Sequence, residues 1–296
     1  MIIRDWEAKG AYYTIEGRSL FVVDSENKGR TDKPTLVLLH GYPTSSHDYY
    51  CVFDALAEHF RVIAHDHLGF GLSEKPKDYA YSLFEQTDIA LKVWKKLGVE
   101  SAHVVAHDYG TSIATELLAR ANGGQCPIHL NSITLCNGSV HIELAKLRVI
   151  QKLLRNHYTG PLVARLTNQS IFNRNMRKLW HDPSTLSEAD LHSMWELLIR
   201  NEGKLALPKI TQYLRDRVVY WDRWVGALRQ SNTPLAFLWG AKDPIVGANV
   251  AEVHHAEAVG SQLILLEDVG HYPMLEAPDR WTKAVRSLLE KPILSK

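Results

Sequence analysis

The feature that most constrains the fold of this chain is a series of short apolar runs that alternate with helical patterns. Two early segments, AYYTIEG and SLFVVDS, predict a hairpin, and six later runs have the length and composition of buried strands: TLVLLHG, RVIAHD, SAHVVAH, NSITLCN, PLAFLWG and QLILLED. Amphipathic segments separate most of them. YSLFEQTDIALKVWKKLG, for example, begins with a capping pair at Ser82 and Glu85 and ends at Gly98. Strands that are apolar on both faces and joined by helices predict an α/β fold with a mostly parallel, eight-stranded sheet.

One long segment interrupts this alternation. From about residue 140 to residue 229 the sequence has helical patterns and no convincing strand; LSEADLHSMWELLIRN, for example, begins with a capping pair at Ser187 and Asp190. The block holds 15 Lys and Arg against 8 Asp and Glu, whereas the rest of the chain holds 19 against 25. We therefore predict a core formed by residues 1–139 and 230–296, with a helical cap of residues 140–229 inserted after the sixth strand. ENKGRTDKP is expected to be a polar loop before the third strand.

The composition limits the class of protein. With 296 residues and 45% hydrophobic side chains, the chain is long enough for a large core, and a net charge of +1 gives no reason to expect a nucleic-acid partner. The three cysteines lack metal-ligand spacing, the first apolar run is too short for a signal peptide, and no apolar stretch reaches the roughly 18 residues that span a bilayer. We expect a soluble cytoplasmic protein, monomeric or homodimeric, with no membrane partner.

An acidic residue stands where one of the predicted strands meets a helix. In VVAHDYGTS, an apolar run ends at Asp108, and a helical pattern that includes Ile113 and Leu117 follows. Ala106 and Gly110 place small residues two positions to either side of Asp108, as a sharp turn requires where two backbones approach closely. The turn therefore has the pattern of a nucleophile elbow that carries Asp instead of Ser. The alternative is that Asp108 only caps the N-terminus of the helix.

Three further segments supply the groups that an acid at such a turn would need. HGYP follows the third strand, and the backbone N–H of Tyr42, together with that of Tyr109, is placed to form an oxyanion hole. Asp243 follows the strand PLAFLWG, and His271 follows QLILLED. Asp108, Asp243 and His271 thus occur in the chain order of a nucleophile, an acid and a base.

The set HGYP, DHLGFGLS, AHDYGT, GAKDP and GHYP, spread from about Pro34 to Trp281, resembles the α/β-hydrolase superfamily. The likeness is to its Asp-nucleophile branch, which contains epoxide hydrolases and haloalkane dehalogenases. Within that branch, HGYPTSSHDY, AHDYGTSIATELLAR, LCNG and DRWVGALR are most similar to the mesoderm-specific transcript proteins and their bacterial relatives. The resemblance implies the α/β-hydrolase fold with a helical cap.

The resemblance also implies covalent catalysis through Asp108. A carboxylate can attack an electrophilic sp³ carbon and form an alkyl ester on the enzyme. Water activated by His271, which Asp243 orients, then attacks the carbonyl carbon of that ester, and the oxyanion forms beside the N–H groups of Tyr42 and Tyr109. A serine hydrolase is excluded because the sequence contains no GxSxG motif.

Two positions bear on the chemistry of the leaving group. By resemblance, haloalkane dehalogenases hold the halide with a Trp directly after the nucleophile, often with an Asn after the HG pair, whereas epoxide hydrolases protonate an alkoxide with cap tyrosines. Tyr109 and Tyr42 occupy those two positions here. The sequence therefore favours an epoxide hydrolase that gives vicinal diols from small to medium apolar epoxides. A haloalkane dehalogenase, and a non-catalytic binding or signalling protein on the same fold, are the alternatives.

Tyrosines of the cap are the candidate proton donors. Tyr213 lies in PKITQYLRDRVVYWDRW, which predicts one helix starting at Pro208, and its placement is similar to that of the second cap tyrosine of epoxide hydrolases. Tyr220, seven residues further on, would share its helical face. Tyr158, in LRNHYTGP, corresponds to the first cap tyrosine. The alternative is that all three are packing residues.

The sequence also suggests substrate contacts but no cofactor. His40, Tyr220 and Trp221 are expected to contact the substrate. His65 and His67, in HDHLGFG, would share a face of a continuing strand, as a pair of metal ligands would. This loop is similar to a loop of the superfamily that has no metal role, so we predict neither a metal site nor a cofactor.

Overall fold

A computed structural model describes residues 1–26 and 32–290 of the protein. Its centre is a single eight-stranded sheet. The strands are β1 Gly10–Ile15, β2 Arg18–Asp24, β3 Thr35–Leu39, β4 Arg61–His65, β5 Ser101–His107, β6 His129–Cys136, β7 Leu235–Gly240 and β8 Gln262–Leu266. They correspond to the hairpin and the six apolar runs, so the predicted α/β fold is confirmed. The segment ENKGRTDKP overlaps residues 27–31, which lie outside the described residues.

The strand order brings several loops to one edge of the sheet. In space the order is β1-β2-β4-β3-β5-β6-β7-β8, and every pair is parallel except β1 with β2 and β2 with β4. The register places Leu39 of β3 beside Ala106 of β5, and His107 of β5 beside Cys136 of β6. Because parallel strands end at the same edge, the residues that follow β3, β5, β6, β7 and β8 meet there.

Helices flank the sheet. The helices are α1 Ile3–Lys9, α2 Phe53–Ala57, α3 Leu83–Lys96, α4 Tyr109–Asn122, α5 Val149–Arg155, α6 Gly160–Leu166, α7 Gln169–Arg177, α8 Glu188–Ile199, α9 Leu207–Ile210, α10 Tyr213–Val219, α11 Trp221–Arg229, α12 Ala248–Glu257, α13 Pro273–Glu276 and α14 Pro278–Glu290. Helices α3, α4 and α12 contact strands, and α11 packs on α4 and α12; α2 and α14 contact strands and each other, and α13 packs on α14. Short 3₁₀ helices occupy Ser46–Tyr49, Ile142–Leu144, Pro183–Thr185 and Arg200–Ala206.

The segment between β6 and β7 contains helices α5 to α11 and no strand. The cap boundaries at residues 140 and 229 remain a prediction. The single helix predicted over PKITQYLRDRVVYWDRW is wrong, because α9, α10 and α11 divide this stretch. Helix α10 ends at Val219, and Tyr220 has a φ of −105° and a ψ of 23°. The run of Val218, Val219 and Tyr220 has weak helix propensity, which favours a break there. Tyr220 therefore does not continue the helical face that carries Tyr213.

Helix α4 is anchored to the inserted helices through a buried carboxylate. Glu116 is fully buried and accepts hydrogen bonds from Arg120 Nε at 2.9 Å, Arg223 Nε at 2.7 Å and Trp224 Nε1 at 2.9 Å. Burial raises the pKa of Glu116, but these bonds outweigh burial and lower the pKa below its ordinary value. Since Arg223 and Trp224 belong to α11, this pairing fixes α11 against the helix that begins at Tyr109.

The apolar core continues from the sheet into the inserted helices. Cys136 lies in this core, and burial raises the pKa of its thiol to about 12. It is unpaired, as are Cys51 and Cys126. In the described part of the chain, no helix has both the length and the apolar character needed to cross a membrane.

Candidate active site

The turn between β5 and α4 holds Asp108 at the carboxyl edge of the sheet. Its φ of 43° and ψ of −103° lie where residues with a Cβ are seldom found. The Asp108 N–H donates to the Cys136 carbonyl at 3.1 Å, and the Asp108 carbonyl accepts the N–H of Thr111 at 3.1 Å. A Cβ on Gly110 would come within 2.6 Å of the Leu39 carbonyl oxygen, so the close approach requires glycine. The Asp108 side chain forms no capping hydrogen bond, which removes the helix-cap alternative.

The loop after β3 supplies a donor to the Asp108 side chain. The N–H of Tyr42 donates to Asp108 Oδ2 over 3.0 Å. His40 supports this loop: its Nε2 accepts the N–H of His67 at 3.0 Å, so its Nδ1 carries the proton and donates to the Gly41 carbonyl at 2.9 Å. Burial lowers the pKa of His40 to about 3, which keeps the ring neutral. The prediction that His40 contacts the substrate is wrong, because its side chain is fully buried and does not line the cavity described below.

A second donor is available beside Asp108. Tyr109 is the first residue of α4, and the N–H groups of a first helical turn have no acceptor within their own helix. The Tyr42 N–H contacts the Asp108 side chain directly, and Tyr109 is the next residue in the chain after Asp108; that their two N–H groups form an oxyanion hole stays a prediction. The Tyr109 side chain is fully buried, with its ring centroid 5.2 Å from that of Phe70.

His271 and Asp243 form a directly bonded pair. His271 Nδ1 lies 2.6 Å from Asp243 Oδ2. Asn137 Nδ2 donates to the same oxygen at 2.9 Å, while the N–H groups of Ile245 and Val246 donate to Asp243 Oδ1 at 2.7 and 3.1 Å. Four donors thus fix the carboxylate, which in turn holds the proton of His271 on Nδ1 and leaves Nε2 as the basic nitrogen.

Opposite charges meet in this buried site. Burial raises the pKa of Asp108, while the charges of His271 and Arg217 and the N–H of Tyr42 act to lower it. Burial lowers the pKa of His271, but the charge of Asp243, the hydrogen bond to it and the charge of Asp108 outweigh burial and raise the pKa. The imidazole is therefore a stronger base than in water, and the carboxyl group of Asp108 depends on nearby cations to ionise.

Arg217, on α10, is a partner of Asp108 that the sequence did not single out. Its Nη2 donates to the Asp108 carbonyl at 2.9 Å and lies 3.9 Å from Asp108 Oδ1, and its Nε donates to Ser112 Oγ at 2.8 Å. The side chain is 3% exposed, and its guanidinium lies 4.7 Å from the ring centroid of Tyr213. The sequence shows only a net positive segment, which does not distinguish Arg217 from the other basic residues in it.

A cavity between the sheet edge and the inserted helices contains the Asp108 side chain. Its cavity volume is about 80 Å³, and Asp108, His271 and Tyr42 line it from the α/β core. The inserted helices contribute mainly apolar side chains: Ile150, Leu154, Phe172, Met176, Leu198 and Leu207. Arg148, Gln151 and Asn175 are polar residues on the same lining, and none of the lining residues in the described structure is a Trp.

Three tyrosine rings lie together beside Asp108. The Tyr213 ring is 1% exposed and lies 5.8 Å from the Tyr42 ring and 5.2 Å from the Tyr109 ring, centroid to centroid. Burial and the charge of Asp108 raise the pKa of Tyr213. Of these three residues only Tyr42 lines the cavity, and Thr211 Oγ1 donates to its hydroxyl at 3.1 Å. The sequence analysis used only the backbone of Tyr42, although the position after the HG pair, where dehalogenases often carry Asn, was a signal that its side chain faces the leaving group.

Three other predicted site residues lie outside the cavity. Tyr158 is 86% exposed, so the prediction that it donates a proton within a buried site is wrong. The Tyr220 ring packs edge-on against Phe84, with centroids 4.7 Å apart. Trp221 Nε1 donates to the carboxylate of Glu143 at 3.1 and 3.2 Å. Neither Tyr220 nor Trp221 lines the cavity, so their predicted substrate contacts are also wrong.

The histidines of HDHLGFG belong to the core. His65 and His67 are fully buried, with ring centroids 5.1 Å apart, and burial lowers the pKa of His65 to about 3. Within residues 1–26 and 32–290, no group of three or more His, Cys, Asp and Glu side chains is arranged to hold a metal ion.

Known proteins are similar to this chain in sequence and in fold. Residues 34–278 match the alpha/beta hydrolase fold family. LipZ of Mycobacterium tuberculosis is 38% identical over 287 residues, which cover 97% of this chain and 98% of that protein. The mesoderm-specific transcript homolog protein of Bos taurus is 35% identical over 284 residues, which cover 93% and 84%, and this confirms the resemblance drawn from the motifs.

A solved structure agrees at the level of the fold. Haloalkane dehalogenase DbeA from Bradyrhizobium elkani is 22% identical, with a TM-score of 0.78 over 95% of this chain and 97% of that one. At this identity the likeness concerns the fold alone. With its matched sequence family, its sheet order and its near full-length relatives, the chain belongs to the α/β-hydrolase fold family.

Proposed function

We propose that this α/β hydrolase is an epoxide hydrolase that converts apolar epoxides to vicinal diols through a covalent ester on Asp108. The observation that carries the proposal is that Asp108, Tyr42 and His271 line one largely apolar cavity. Apolar walls with a few polar groups are typical of sites for small apolar molecules.

In the first step Asp108 attacks a carbon of the epoxide. Asp108 Oδ2 is held by the N–H of Tyr42, so Oδ1 is the attacking oxygen. A bond forms between Oδ1 and the carbon, the ring C–O bond breaks, and its electron pair remains on the ring oxygen as an alkoxide. Arg217, 3.9 Å from Oδ1, offsets the cost of keeping this carboxylate ionised in a buried site.

The alkoxide takes its proton from the Tyr42 hydroxyl. Burial raises the pKa of Tyr42, so the hydroxyl is protonated at neutral pH, while the hydrogen bond from Thr211 acts to lower the pKa and stabilises the tyrosinate that remains. Tyr213, the donor suggested by the sequence, does not line the cavity. We assign Tyr213 a positioning role, because its ring packs between Tyr42 and the guanidinium of Arg217.

In the second step water cleaves the ester. His271 Nε2 removes a proton from water, and the oxygen attacks the Asp108 carbonyl carbon, so that negative charge develops on Oδ2 beside the N–H groups of Tyr42 and Tyr109. Collapse of this intermediate releases the diol and restores the Asp108 carboxylate with one oxygen from water. The proton held on His271 passes to the product oxygen. The second proton of the water, left on the Asp108 carboxyl group, passes to the Tyr42 tyrosinate and restores its hydroxyl.

The lining of the cavity favours an alkoxide over a halide as the leaving group. A departing halide must be held by N–H donors, because an unpaired anion in a dry site costs several kcal/mol. The two positions from which dehalogenases hold the halide, 42 and 109, carry tyrosines, and no Trp lines the cavity in the described structure; the N–H donors on the lining, Arg148, Gln151 and Asn175, come from the inserted helices. An alkoxide needs a proton instead, which the Tyr42 hydroxyl can supply.

Intact-protein mass spectrometry of two variants tests the proposal. His271→Gln should be alkylated by styrene oxide or 1,2-epoxyhexane and should release no diol, because only the second step needs the base. Asp108→Asn, the matched control, should acquire no adduct. The wild-type protein should form diol from at least one epoxide and release negligible bromide from 1-bromobutane. Rapid bromide release without diol would identify a dehalogenase, and a folded protein that shows neither adduct nor product would support the binding-protein alternative.

A further inference from the structure

We propose that the cavity binds an amphipathic ligand, an apolar chain with one anionic head group, and that Arg148 binds the head group. The inference rests on the proposed function in one respect, which is that this ligand is the substrate. The substrate class is then epoxides of long-chain acids. Arg148 immediately precedes α5, is half-buried, and lines the same cavity as Asp108 and His271.

The charges on the cavity lining are not balanced. Asp108 is the single carboxylate among the lining residues, and its partners are His271, Arg217 and the N–H of Tyr42. Arg148 is the single Lys or Arg on the lining, and it forms no ion pair with any carboxylate in the described part of the chain. A half-buried cation on a largely apolar lining is stabilised by a counter-charge, which a ligand anion would supply.

The sequence around Arg148 contains no acidic residue that could pair with it. Residues 144–181 contain eight basic residues and no Asp or Glu: Lys146, Arg148, Lys152, Arg155, Arg165, Arg174, Arg177 and Lys178. Among these, within the described residues, only Arg177 pairs with a carboxylate, that of Glu188. No acidic side chain of α5, α6 or α7 can therefore move to neutralise Arg148.

The residues around Arg148 suit a chain with a charged end. Its backbone is fixed, because the Arg148 N–H donates to Gln151 Oε1 at 2.8 Å and Gln151 is 7% exposed. Ile150 and Leu154 of α5 and Phe172 of α7 continue the same lining with apolar surface. A guanidinium binds carboxylate or sulfate through paired hydrogen bonds, so both head groups have the required chemistry.

Binding of unreactive ligands tests the site without any chemistry. Calorimetry at fixed ionic strength would compare decanoate, decyl sulfate below its micelle concentration, and 1-decanol. We expect the wild-type protein to bind decanoate about tenfold or more tightly than decanol, as one charge-assisted hydrogen bond allows. Arg148→Gln should lose this preference and keep its affinity for decanol, and Arg148→Lys should retain part of it.

Arg155→Gln is the matched control. Arg155 is exposed at the end of the same helix and does not line the cavity. Its replacement removes the same charge from the same segment, so the preference for decanoate should persist. An equal loss in Arg155→Gln and Arg148→Gln would attribute the preference to diffuse charge and overturn the proposal, as would equal affinities of the wild-type protein for decanoate and decanol. A preference for decanoate over decyl sulfate would identify the head group as a carboxylate, and the reverse order as a sulfate.

Turnover separates this inference from the proposed function. The ratio of kcat/KM for 10,11-epoxyundecanoate to that for its methyl ester should fall about tenfold in Arg148→Gln and stay unchanged in Arg155→Gln. If neutral epoxides are hydrolysed, but decanoate binding and epoxyundecanoate turnover do not change in Arg148→Gln, the anionic subsite is refuted and the proposed function stands. If decanoate binding depends on Arg148 while no epoxide reacts, the subsite stands and the proposed function is refuted.

Discussion

Replacement of Arg217 by Gln should expose the cost of burying the Asp108 carboxylate. At the observed 3.9 Å between Arg217 Nη2 and Asp108 Oδ1, two unit charges attract by about 4 kcal/mol at an effective dielectric constant near 20. Relaxation of the site and entry of water reduce this value, so we expect a coupling free energy of about 1 to 4 kcal/mol between the two side chains.

A double-mutant cycle measures this coupling. Free energies of unfolding in urea would be compared for the wild-type protein, Arg217→Gln, Asp108→Asn and the double variant. The hydrogen bonds from Arg217 to Ser112 and to the Asp108 carbonyl are lost in both halves of the cycle, so their contributions cancel. The remainder is the interaction of the guanidinium with the carboxylate.

The way in which the free energy of unfolding changes with pH tests the sign of this interaction. Because the pKa of Asp108 is raised in the folded protein, mainly by burial, its stabilising effect is present below its unfolded pKa and is lost as pH rises through its folded pKa. Without Arg217 that folded pKa rises further. Arg217→Gln should therefore destabilise the protein more at pH 8 than at pH 5, and this difference should vanish in the Asp108→Asn background. If Arg217→Gln destabilised the protein equally in the wild-type and Asp108→Asn backgrounds at both pH values, the charge pairing would be refuted.

Further predictions concern the donor, the base and the glycines. Tyr42→Phe keeps the backbone N–H, so it should slow alkylation about a hundredfold, as measured by rapid-quench mass spectrometry, whereas the exposed Tyr158→Phe should not; equal rates would remove the Tyr42 hydroxyl from the mechanism. Burial lowers the pKa of His271 but its acidic partners raise it overall, so ester hydrolysis should decline as pH falls through that raised pKa, while a flat profile in single-turnover kinetics would contradict its role as base. Gly110→Ala should destabilise by about 1 to 3 kcal/mol, because its Cβ would lie 2.6 Å from a carbonyl oxygen. A Cβ on Gly226 would meet nothing within 4 Å, so Gly226→Ala should stabilise the protein by about 0.5 to 1 kcal/mol in urea unfolding. If Gly226→Ala destabilised the protein more than Gly110→Ala, the close approach at Gly110 would not explain why glycine is required there.

The sheet and the order of its site residues could be predicted because both depend on local patterns. Buried parallel strands are apolar on both faces, and each of the six runs has this property over the length of one strand. Asp108 directly follows β5, and Asp243 and His271 lie in the loops after β7 and β8, so parallel topology brings all three to the same edge. The small residue at position 110 indicated the sharp turn, and the structure shows the Leu39 backbone that requires it.

The inserted helices were harder to predict because their side chains are placed by tertiary packing. Helical periodicity suggested that Tyr213 and Tyr220 share a face, but the chain leaves the helix at Tyr220, and only Tyr213 packs against Tyr42 and Arg217. Tyr158 matched by position, yet its loop holds it in solvent. Arg217 is functionally placed only because α10 lies against the elbow, a contact that no local pattern in the sequence encodes.

The central claim, a covalent ester on Asp108, is tested most directly by a single turnover in ¹⁸O-labelled water with enzyme in excess over epoxide. The first-turnover diol should carry no label, because its new oxygen comes from the Asp108 carboxylate, and the peptide that contains Asp108 should gain one labelled oxygen. Labelled diol in the first turnover, with an unlabelled Asp108 peptide, would show that water attacks the epoxide directly and would contradict the mechanism.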